Sequence, residues 1–161
     1  MLGSAHFRRL LPAVCLAALG LASCQSGTIV VVEHGPVPAP TYVDNGDEGP
    51  SPGDERVWNF AGSSGGKDVV LDFIMTTTAV DAPEKGVETR VTLGVFSFGN
   101  GDTLLLEGVG LYPGEGATLK PSATLERAIF GGTGKYAGAT GSVVSEHLPD
   151  DTWTHTFRID D

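Results

Sequence analysis

Apolar and polar residues alternate along most of this chain, and the alternation is most regular between Val87 and Phe98. Two faces result there, one with Val87, Thr89, Val91, Leu93 and Val95 and the other with Glu88, Arg90, Thr92, Gly94 and Phe96. A period of two is typical of a β-strand, whose successive side chains point to opposite faces. Similar patterns, rich in β-branched residues, predict eight strands: Thr28–Glu33, Arg56–Ala61, Asp68–Val80, Val87–Phe98, Thr103–Tyr112, Ala123–Phe130, Ala139–His147 and Thr152–Ile159.

Turn residues separate the predicted strands at the spacing of hairpins. The clearest turn is Asn100-Gly101, because both residues tolerate the positive φ angles of a type I′ hairpin. Eight antiparallel strands can close into a barrel that leaves no edge strand unpaired. The predicted fold class is therefore all-β, an eight-stranded antiparallel closed barrel, with an interior wide enough for side chains or one small ligand.

The segment 34–54 differs from the rest because it contains five prolines and an acidic stretch. Proline cannot donate a hydrogen bond to a sheet, so the segment is predicted to be a long loop or an extended cover within the barrel domain. In an alternative interpretation, residues 25–54 are entirely tether and the domain begins near Arg56.

The first 24 residues have the organisation of an export signal. Arg8 and Arg9 form a positive start, and the apolar run Leu10–Ala22 that follows is too short to span a membrane at ~1.5 Å per residue. Leu21-Ala22-Ser23-Cys24 then resembles the lipobox of bacterial lipoproteins. The resemblance implies cleavage before Cys24 and attachment of lipid to its sulfur. The alternative is an ordinary signal peptide with a cysteine by chance.

This motif predicts the domain organisation and the location of the mature protein. Residues 1–23 are the signal peptide, residues 24–27 a lipidated tether and residues 28–161 the barrel domain. The lipid anchor makes the membrane a partner and places the exported protein in the bacterial cell envelope. Gln25, rather than Asp, follows the cysteine, which favours the outer membrane if the host has one.

The charge of the chain restricts its other partners. Its formal net charge is −10, and loss of Arg8 and Arg9 with the signal peptide leaves 8 Lys+Arg against 20 Asp+Glu, or −12. A chain this acidic is repelled by phosphate backbones, so nucleic acid is not an expected partner. The two cysteines are Cys15 and Cys24, so the mature barrel has no internal disulfide.

Three short motifs match functional patterns but lack the context that the chemistry needs. Gly62–Gly66 fits the G-x-S-x-G pattern of serine hydrolases, and Gly132–Ala137 fits the G-x-G-x-x-A pattern of dinucleotide sites. Both sites need a helix after the motif, whereas a predicted strand follows each one here, so both are interpreted as glycine-rich turns. The acidic run Asp44–Glu48 lacks EF-hand spacing and the histidines lack zinc-ligand spacing, so neither a metal nor a cofactor is expected.

Several titratable side chains lie within predicted strands. His155 shares a face with Trp153, and if that face points inward the imidazole needs a hydrogen-bond partner or contacts a ligand. Glu33, Asp72 and Glu107 raise the same question, because an inward carboxylate can act as an acid or base. A register shift of one residue inverts the faces, so the sequence leaves open which side chains point inward.

A glycine-rich run occupies the C-terminal third of the chain, from Ala128-Ile129-Phe130 through Gly131-Gly132-Thr133-Gly134-Lys135-Tyr136-Ala137-Gly138-Ala139-Thr140-Gly141. With Leu148–Asp151 and Thr154–Phe157, it resembles the C-terminal signature of allene oxide cyclase and dirigent-like proteins. In that family such a run joins two late barrel strands, here with Gly131, Gly132, Gly134, Gly138 and Gly141 as the motif glycines.

This resemblance implies a calycin-type barrel with an apolar cavity that holds a reactive substrate in the productive shape. The plant cyclase has a glutamate at the end of its first strand, and Glu33 is at the corresponding place. Plant members form trimers, so a homo-oligomer is a further expectation.

Three hypotheses for function follow. In the first, the barrel has no cofactor and holds a small hydrophobic molecule, with these candidate lining residues: Trp58, Phe73, Met75, Phe96, Phe98 and His155. In the second, the protein is an isomerase, cyclase or stereo-directing enzyme acting on a reactive hydrophobic substrate, with Glu33 as its catalytic residue. In the third, the barrel is filled and serves as a non-catalytic structural module at the surface.

Overall fold

The computed structural model describes residues 27–114 and 118–161, which form an all-β domain. The predicted signal peptide, Cys24 and most of the tether lie outside the described residues. The described ranges contain nine strands: β1 (Thr28–His34), β2 (Thr41–Val43), β3 (Glu55–Ser64), β4 (Lys67–Val80), β5 (Val87–Ser97), β6 (Thr103–Pro113), β7 (Thr124–Thr133), β8 (Gly141–His147) and β9 (Trp153–Ile159). Within these ranges, no helix has the length and apolar character to cross a membrane.

The strands close into a barrel in which neighbouring strands are antiparallel. Their order is β1-β9-β8-β7-β6-β5-β4-β3, and β1 then pairs with β3 through Glu33 and Ser63, which closes a ring of eight. The short strand β2 pairs with β3 and lies outside this ring. The predicted eight-stranded antiparallel closed barrel is confirmed.

The first strand is part of this ring. β1 pairs with β9 at all seven of its positions, from Thr28 opposite Ile159 to His34 opposite Trp153. The alternative in which the domain begins near Arg56 is therefore wrong. The proline-rich segment after β1 contains β2, which the sequence analysis did not predict because three residues are too few to show an alternating pattern.

Tight turns join the long strands where the sequence predicts them. Asn100 and Gly101 both have positive φ, at 54° and 81°, as a type I′ turn requires. The turn between β3 and β4 is Gly65-Gly66, so the G-x-S-x-G pattern is divided between the end of a strand and a turn. Gly134 begins a 3-10 helix of three residues and β8 follows, so the second glycine motif lacks the helix that binds a pyrophosphate.

The glycine motif between β7 and β8 packs closely against neighbouring backbone. Gly134 has a φ of 60°, and a Cβ there would overlap Asp102. Gly141 has a φ of 134°, and a Cβ there would overlap the carbonyl oxygen of Arg158. A Cβ on Gly131, by contrast, would meet no atom within 4 Å. The conformation and packing thus require glycine at some positions of the motif but not at all of them.

The interior of the barrel has two chemically different ends. The "apolar end" is filled by side chains from the buried core, among them Val32, Val69, Leu71, Phe96, Leu104, Leu106, Val143 and Phe157. The "polar end" is formed by the starts of β3, β5, β7 and β9 and the ends of β1, β4, β6 and β8, where charged, hydroxyl and aromatic side chains are buried. On β5 the face that carries Glu88 and Arg90 points inward, which settles the question that the alternation left open.

Candidate functional site

A small cavity lies inside the polar end, and its wall is mainly aromatic. Trp58, Phe60, Phe73 and Trp153 line it together with Met75. Trp58 and Trp153 are the two tryptophans of the whole chain, and their exposed fractions are only 4% and 5%. The centre of a water-sized sphere can reach a volume of ≈ 30 Å³ in this cavity. That volume has room for about two water molecules, so protein side chains nearly fill the cavity in this structure.

Two connecting segments, here called the cover, add residues to the lining of the cavity. Val37, from the proline-rich segment, and Leu119, from the connection between β6 and β7, both line it. Trp58 Nε1 donates a hydrogen bond to the Pro38 carbonyl at 2.8 Å. His147 Nδ1 lies 2.8 Å from the Leu119 carbonyl and must be the donor, because a carbonyl only accepts. One hydrogen bond from the barrel thus reaches the backbone of each covering segment.

His147 also braces the rim of the barrel. Its ring stacks on that of Trp153 with centroids 4.3 Å apart. Its Nε2 lies 2.7 Å from Asp151 Oδ1, so both ring nitrogens face acceptors.

A chain of hydrogen bonds runs along the cavity wall, and the group at its end sets its direction. His34 Nδ1 lies 2.7 Å from the Gly35 carbonyl, which only accepts, so Nδ1 carries the proton and Nε2 of neutral His34 is an acceptor. His155 Nε2, 3.1 Å away, therefore donates to it, and His155 Nδ1 accepts from the Ser145 hydroxyl at 2.8 Å. Ser145 Oγ in turn accepts from Arg127 Nη1 at 3.2 Å. Each donor points from Arg127 toward Gly35.

Burial favours the neutral form of His34 and His155, the two histidines of this hydrogen-bond chain. Desolvation lowers the pKa of His34 below its ordinary 6.5, although the hydrogen bond to Gly35 opposes the effect and the charge of His147 adds to it. Desolvation also lowers the pKa of His155 well below 6.5, and His34 and Arg127 lower it further. A second proton on His34 would face the N–H of His155, so their 3.1 Å contact requires His34 to be neutral while His155 donates.

Beside the cavity, one buried carboxylate joins two buried arginines. Glu88 is 1% exposed, and its Oε2 lies 3.0 Å from Arg90 Nη2 and 3.2 Å from Arg56 Nη2. The Thr77 hydroxyl donates to the same oxygen at 3.2 Å. Arg90 also lies over the ring of Tyr112, 4.7 Å from its centroid. Glu88 is therefore fully engaged by groups of the protein itself.

Arg127 is the third buried arginine of the polar end, and its partners differ. It lines the cavity and is 6% exposed. Its Nη2 donates to the Tyr112 hydroxyl at 2.5 Å and its Nη1 to Ser145, and both of these partners are neutral. No carboxylate within residues 27–114 and 118–161 lies within 4.0 Å of its guanidinium nitrogens. Its Nε–H and the Nε1–H of Trp153 are buried without a hydrogen-bond partner among the described residues.

The structure brings together most of the lining residues predicted from the sequence. Four of the six line the cavity, namely Trp58, Phe73, Met75 and His155. Phe96 lies one layer deeper, with its ring edge-on to His155 and the centroids 5.0 Å apart. Phe98 lies at the apolar end, where it packs against Tyr136. Phe96 therefore supports the cavity from below, whereas Phe98 is remote from it.

The three carboxylates singled out on predicted strands point away from the cavity. Glu33 and Glu107 are exposed, and Asp72 is half-buried on the outer face. Alternation along β1 turns His34 inward and therefore turns its neighbour Glu33 outward. The inward side chain at the end of the first strand is thus the imidazole of His34, and the inward carboxylate of the barrel is Glu88, while a catalytic role for Glu33 stays a prediction.

Sequence reasoning missed several residues that complete the site, namely His34, Tyr112, Arg127, Ser145 and Trp153. A signal existed for Arg127, which lies two residues from Leu125 on one side and from Ile129 on the other. A charged residue at an alternate position among apolar residues of a strand shares their buried face, and a buried charge indicates a specific binding or structural role. His34 carries the same signal, because it follows Val30 and Val32 at alternate positions.

Comparison with known proteins gives a likeness of fold. No family model matches the chain, and no curated protein matches it in sequence. Among solved structures, the chain is similar to pyocyanin demethylase, with a TM-score of 0.59 and 18% identity over 82% of this chain and 98% of that chain. At this identity the likeness supports the barrel fold, and membership of the allene oxide cyclase and dirigent-like family stays a prediction.

Proposed function

We propose that this barrel binds a small, largely apolar molecule in the cavity at its polar end. The observation that carries the proposal is an aromatic wall combined with two buried N–H groups, Arg127 Nε and Trp153 Nε1. Neither has a hydrogen-bond acceptor within the described residues. Binding pockets typically combine an apolar lining with a few polar groups that orient the ligand. The likeness to pyocyanin demethylase supports the proposal, since a barrel of similar shape serves an enzyme named for a small-molecule substrate.

The ligand reaches this site by displacing the cover. A cavity of ≈ 30 Å³ is far smaller than the roughly 300 Å³ or more of a typical ligand pocket. Val37 and Leu119 occupy the space in which a ligand would extend, and the hydrogen bonds from Trp58 to Pro38 and from His147 to Leu119 hold their segments. Ligand contacts with the aromatic wall replace the contacts of these two side chains and offset the cost of moving them.

Intrinsic tryptophan fluorescence tests the proposal without a label, because both tryptophans of the chain line the cavity. The purified protein is titrated with small aromatic acids, amides and alcohols and with short fatty acids. We expect at least one class to change the emission saturably and to raise the melting temperature. If no compound does either, the third hypothesis, a filled structural module, is the better account.

We infer further that Cys24 anchors the barrel to a membrane of the bacterial cell envelope, as the lipobox-like sequence predicts. The matched variants are Cys24→Ser and Cys15→Ser, which change the two cysteines of the chain one at a time. We expect Cys24→Ser to lose incorporation of labelled palmitate and to leave the membrane fraction, while Cys15→Ser keeps both properties. Labelling of the Cys24→Ser protein would contradict the anchor.

Catalysis on the bound molecule is a second candidate, favoured by the pair His34 and His155. Both imidazoles line the cavity in their neutral form, and His155 Nδ1 accepts from the Ser145 hydroxyl, so His155 can act through that hydroxyl as the general base of an isomerisation or cyclisation. If this is correct, His155→Gln abolishes turnover of a substrate found in the ligand panel, while Glu33→Gln at the exposed position keeps it. Loss of turnover in Glu33→Gln alone would instead support the role that the family resemblance implies for that residue.

A further inference from the structure

We propose that the ligand of this cavity carries a carboxylate, and that Arg127 binds it. The inference rests on the proposed function, since it specifies the chemistry of the molecule that the barrel holds. It starts from the charges buried at the polar end, which are not balanced around the cavity. Arg56, Arg90 and Arg127 are all buried there, and Glu88 serves the first two.

Among these three buried arginines, Arg127 is therefore the one without a carboxylate partner in the described part of the chain. An arginine stays protonated at any physiological pH, so it cannot escape the cost of burial by losing its proton. Neutral hydroxyls, from Tyr112 and Ser145, satisfy two of its donors but contribute no negative charge. A buried cation in such a setting is stabilised strongly by any anion that reaches it.

The buried groups of the site that still lack a hydrogen-bond partner within the described residues are donors, so they need an acceptor. Arg127 Nε–H and Trp153 Nε1–H are both donors, and both are buried without a partner. The two histidine acceptors of the cavity are already used, because His155 Nδ1 accepts from the Ser145 hydroxyl and His34 Nε2 accepts from His155. A group that only accepts, such as a carboxylate, fits these donors better than a hydroxyl or an amide, which would bring further donors.

The aromatic wall selects the rest of the molecule. Trp58, Phe60, Phe73 and Met75 face the same cavity as Arg127, so the anion must be attached to an apolar body, with an aromatic carboxylic acid as the simplest form. The protein as a whole does not attract such an anion, because its net charge is −10. A preference for the charged compound over its neutral analogue must then come from the local site.

Phenylacetate and phenylacetamide form a matched pair of probes, since they have nearly the same shape and differ in charge. We expect phenylacetate to bind roughly 10- to 100-fold more tightly, the range for a hydrogen-bonded charged pair. Calorimetry or tryptophan fluorescence gives both dissociation constants. Equal affinities, or tighter binding of the amide, would overturn the carboxylate proposal and leave the proposed function standing. If neither these probes nor any other compound of the panel binds, both fail.

Substitutions at Arg127 test the assignment to that residue. Arg127→Gln removes the charge and is expected to abolish the preference for phenylacetate over phenylacetamide, and Arg127→Lys is expected to keep part of it. Arg158→Gln, the same change at an exposed position on β9, is the matched control and should leave the preference intact. A preference that survives in folded Arg127→Gln would overturn the proposal.

A carboxylate of the chain itself is the alternative source of the counter-charge. Glu115 lies outside the described residues, four positions before Leu119 in the sequence. Under the proposal, Glu115→Gln binds phenylacetate within about twofold of the unmodified protein. A gain of tenfold or more would identify Glu115 as an internal partner that competes with the ligand, and would overturn the assignment of the free charge to a ligand carboxylate.

Discussion

His34 Nε2 and His155 Nε2 face each other at 3.1 Å inside the barrel, and one proton lies between them. Because His34 donates its other N–H to Gly35, the shared proton belongs to His155. The pair joins β1 to β9 where the two strands form one wall of the cavity. A second proton at this contact would place two donors against each other, so the structure of the cavity depends on the protonation state of the pair.

We predict that the protein loses stability as the pH falls below neutral. The folded-state pKa values of His34 and His155 lie below 6.5, so the unfolded chain binds protons first and the stability present above pH 6.5 decreases as the pH falls. Each histidine contributes a slope of up to about 1.4 kcal/mol per pH unit between its two pKa values. Urea unfolding between pH 8 and pH 5 measures this slope, and His155→Gln should reduce it. A stability that is flat over this range, or an unchanged slope in the variant, would contradict the account.

The buried arginines Arg90 and Arg127 are predicted to contribute differently to the free energy of unfolding. Arg90→Met leaves Glu88 paired with Arg56 alone, and the loss of hydrogen bonds to a buried charged group costs about 1.5–3 kcal/mol. Arg127→Met orphans no carboxylate within the described residues, and we expect it to cost less than about 1 kcal/mol or to stabilise the ligand-free protein. Urea unfolding of the two variants provides a matched comparison. Equal losses would show that Arg127 has a structural role like that of Arg90.

Within the glycine motif, Gly134→Ala is predicted to destabilise the protein and Gly131→Ala to be nearly neutral. Gly134 has positive φ and a Cβ there would overlap Asp102, whereas the space around Gly131 is open. The conformation alone costs on the order of 1–3 kcal/mol for a residue with a side chain. Thermal unfolding of the two variants measures the difference. Similar melting temperatures would mean that the turn relaxes around an added methyl group.

The loop before β3 is predicted to depend on the charge of Asp54. Burial alone would raise the pKa of Asp54, but hydrogen bonds from Ser51, Tyr42 and Asn45 outweigh it and lower the pKa from 3.8 to about 2. The resulting stability is complete above pH 3.8 and decreases as the pH falls toward 2. Asp54→Asn should therefore have a lower free energy of unfolding than the unmodified protein at pH 7, and this difference, measured by urea unfolding, should decrease toward pH 2. Asp47→Asn, at an exposed position in the same loop, should have the same free energy of unfolding as the unmodified protein at both pH values.

The sequence predicts the strands of this barrel well and its inward faces poorly, for a physical reason. Strand positions follow from alternation and turn residues, and these depend on the local chain alone. The inward face of β5 carries Glu88, Arg90 and Thr92, while its outward face carries Val91 and Leu93. A rule that places the more apolar face inward therefore fails on β5, because the ion pairs of Glu88 with Arg90 and with Arg56 of β3 are buried there.

Glu33 illustrates the same limit on the prediction of the site. Ile29 and Val31 share its face and are as apolar as Val30 and Val32 on the other face, so composition does not distinguish the two. Pairing with β9 decides, because Trp153 opposite His34 already points into the barrel. The partner strand lies more than a hundred residues away in the sequence, which no local pattern reports.

The two indole N–H groups allow the most direct test of the central claim, that a carboxylate-bearing ligand occupies the cavity. Trp153 Nε1–H has no partner and would gain an acceptor, and Trp58 Nε1–H would lose the Pro38 carbonyl as the cover moves. Proton–nitrogen NMR spectra show one indole signal for each of the two tryptophans of the chain. We predict that both signals shift saturably with phenylacetate and much less with phenylacetamide at the same concentrations. Two indole signals that stay in place at saturating phenylacetate would contradict the claim.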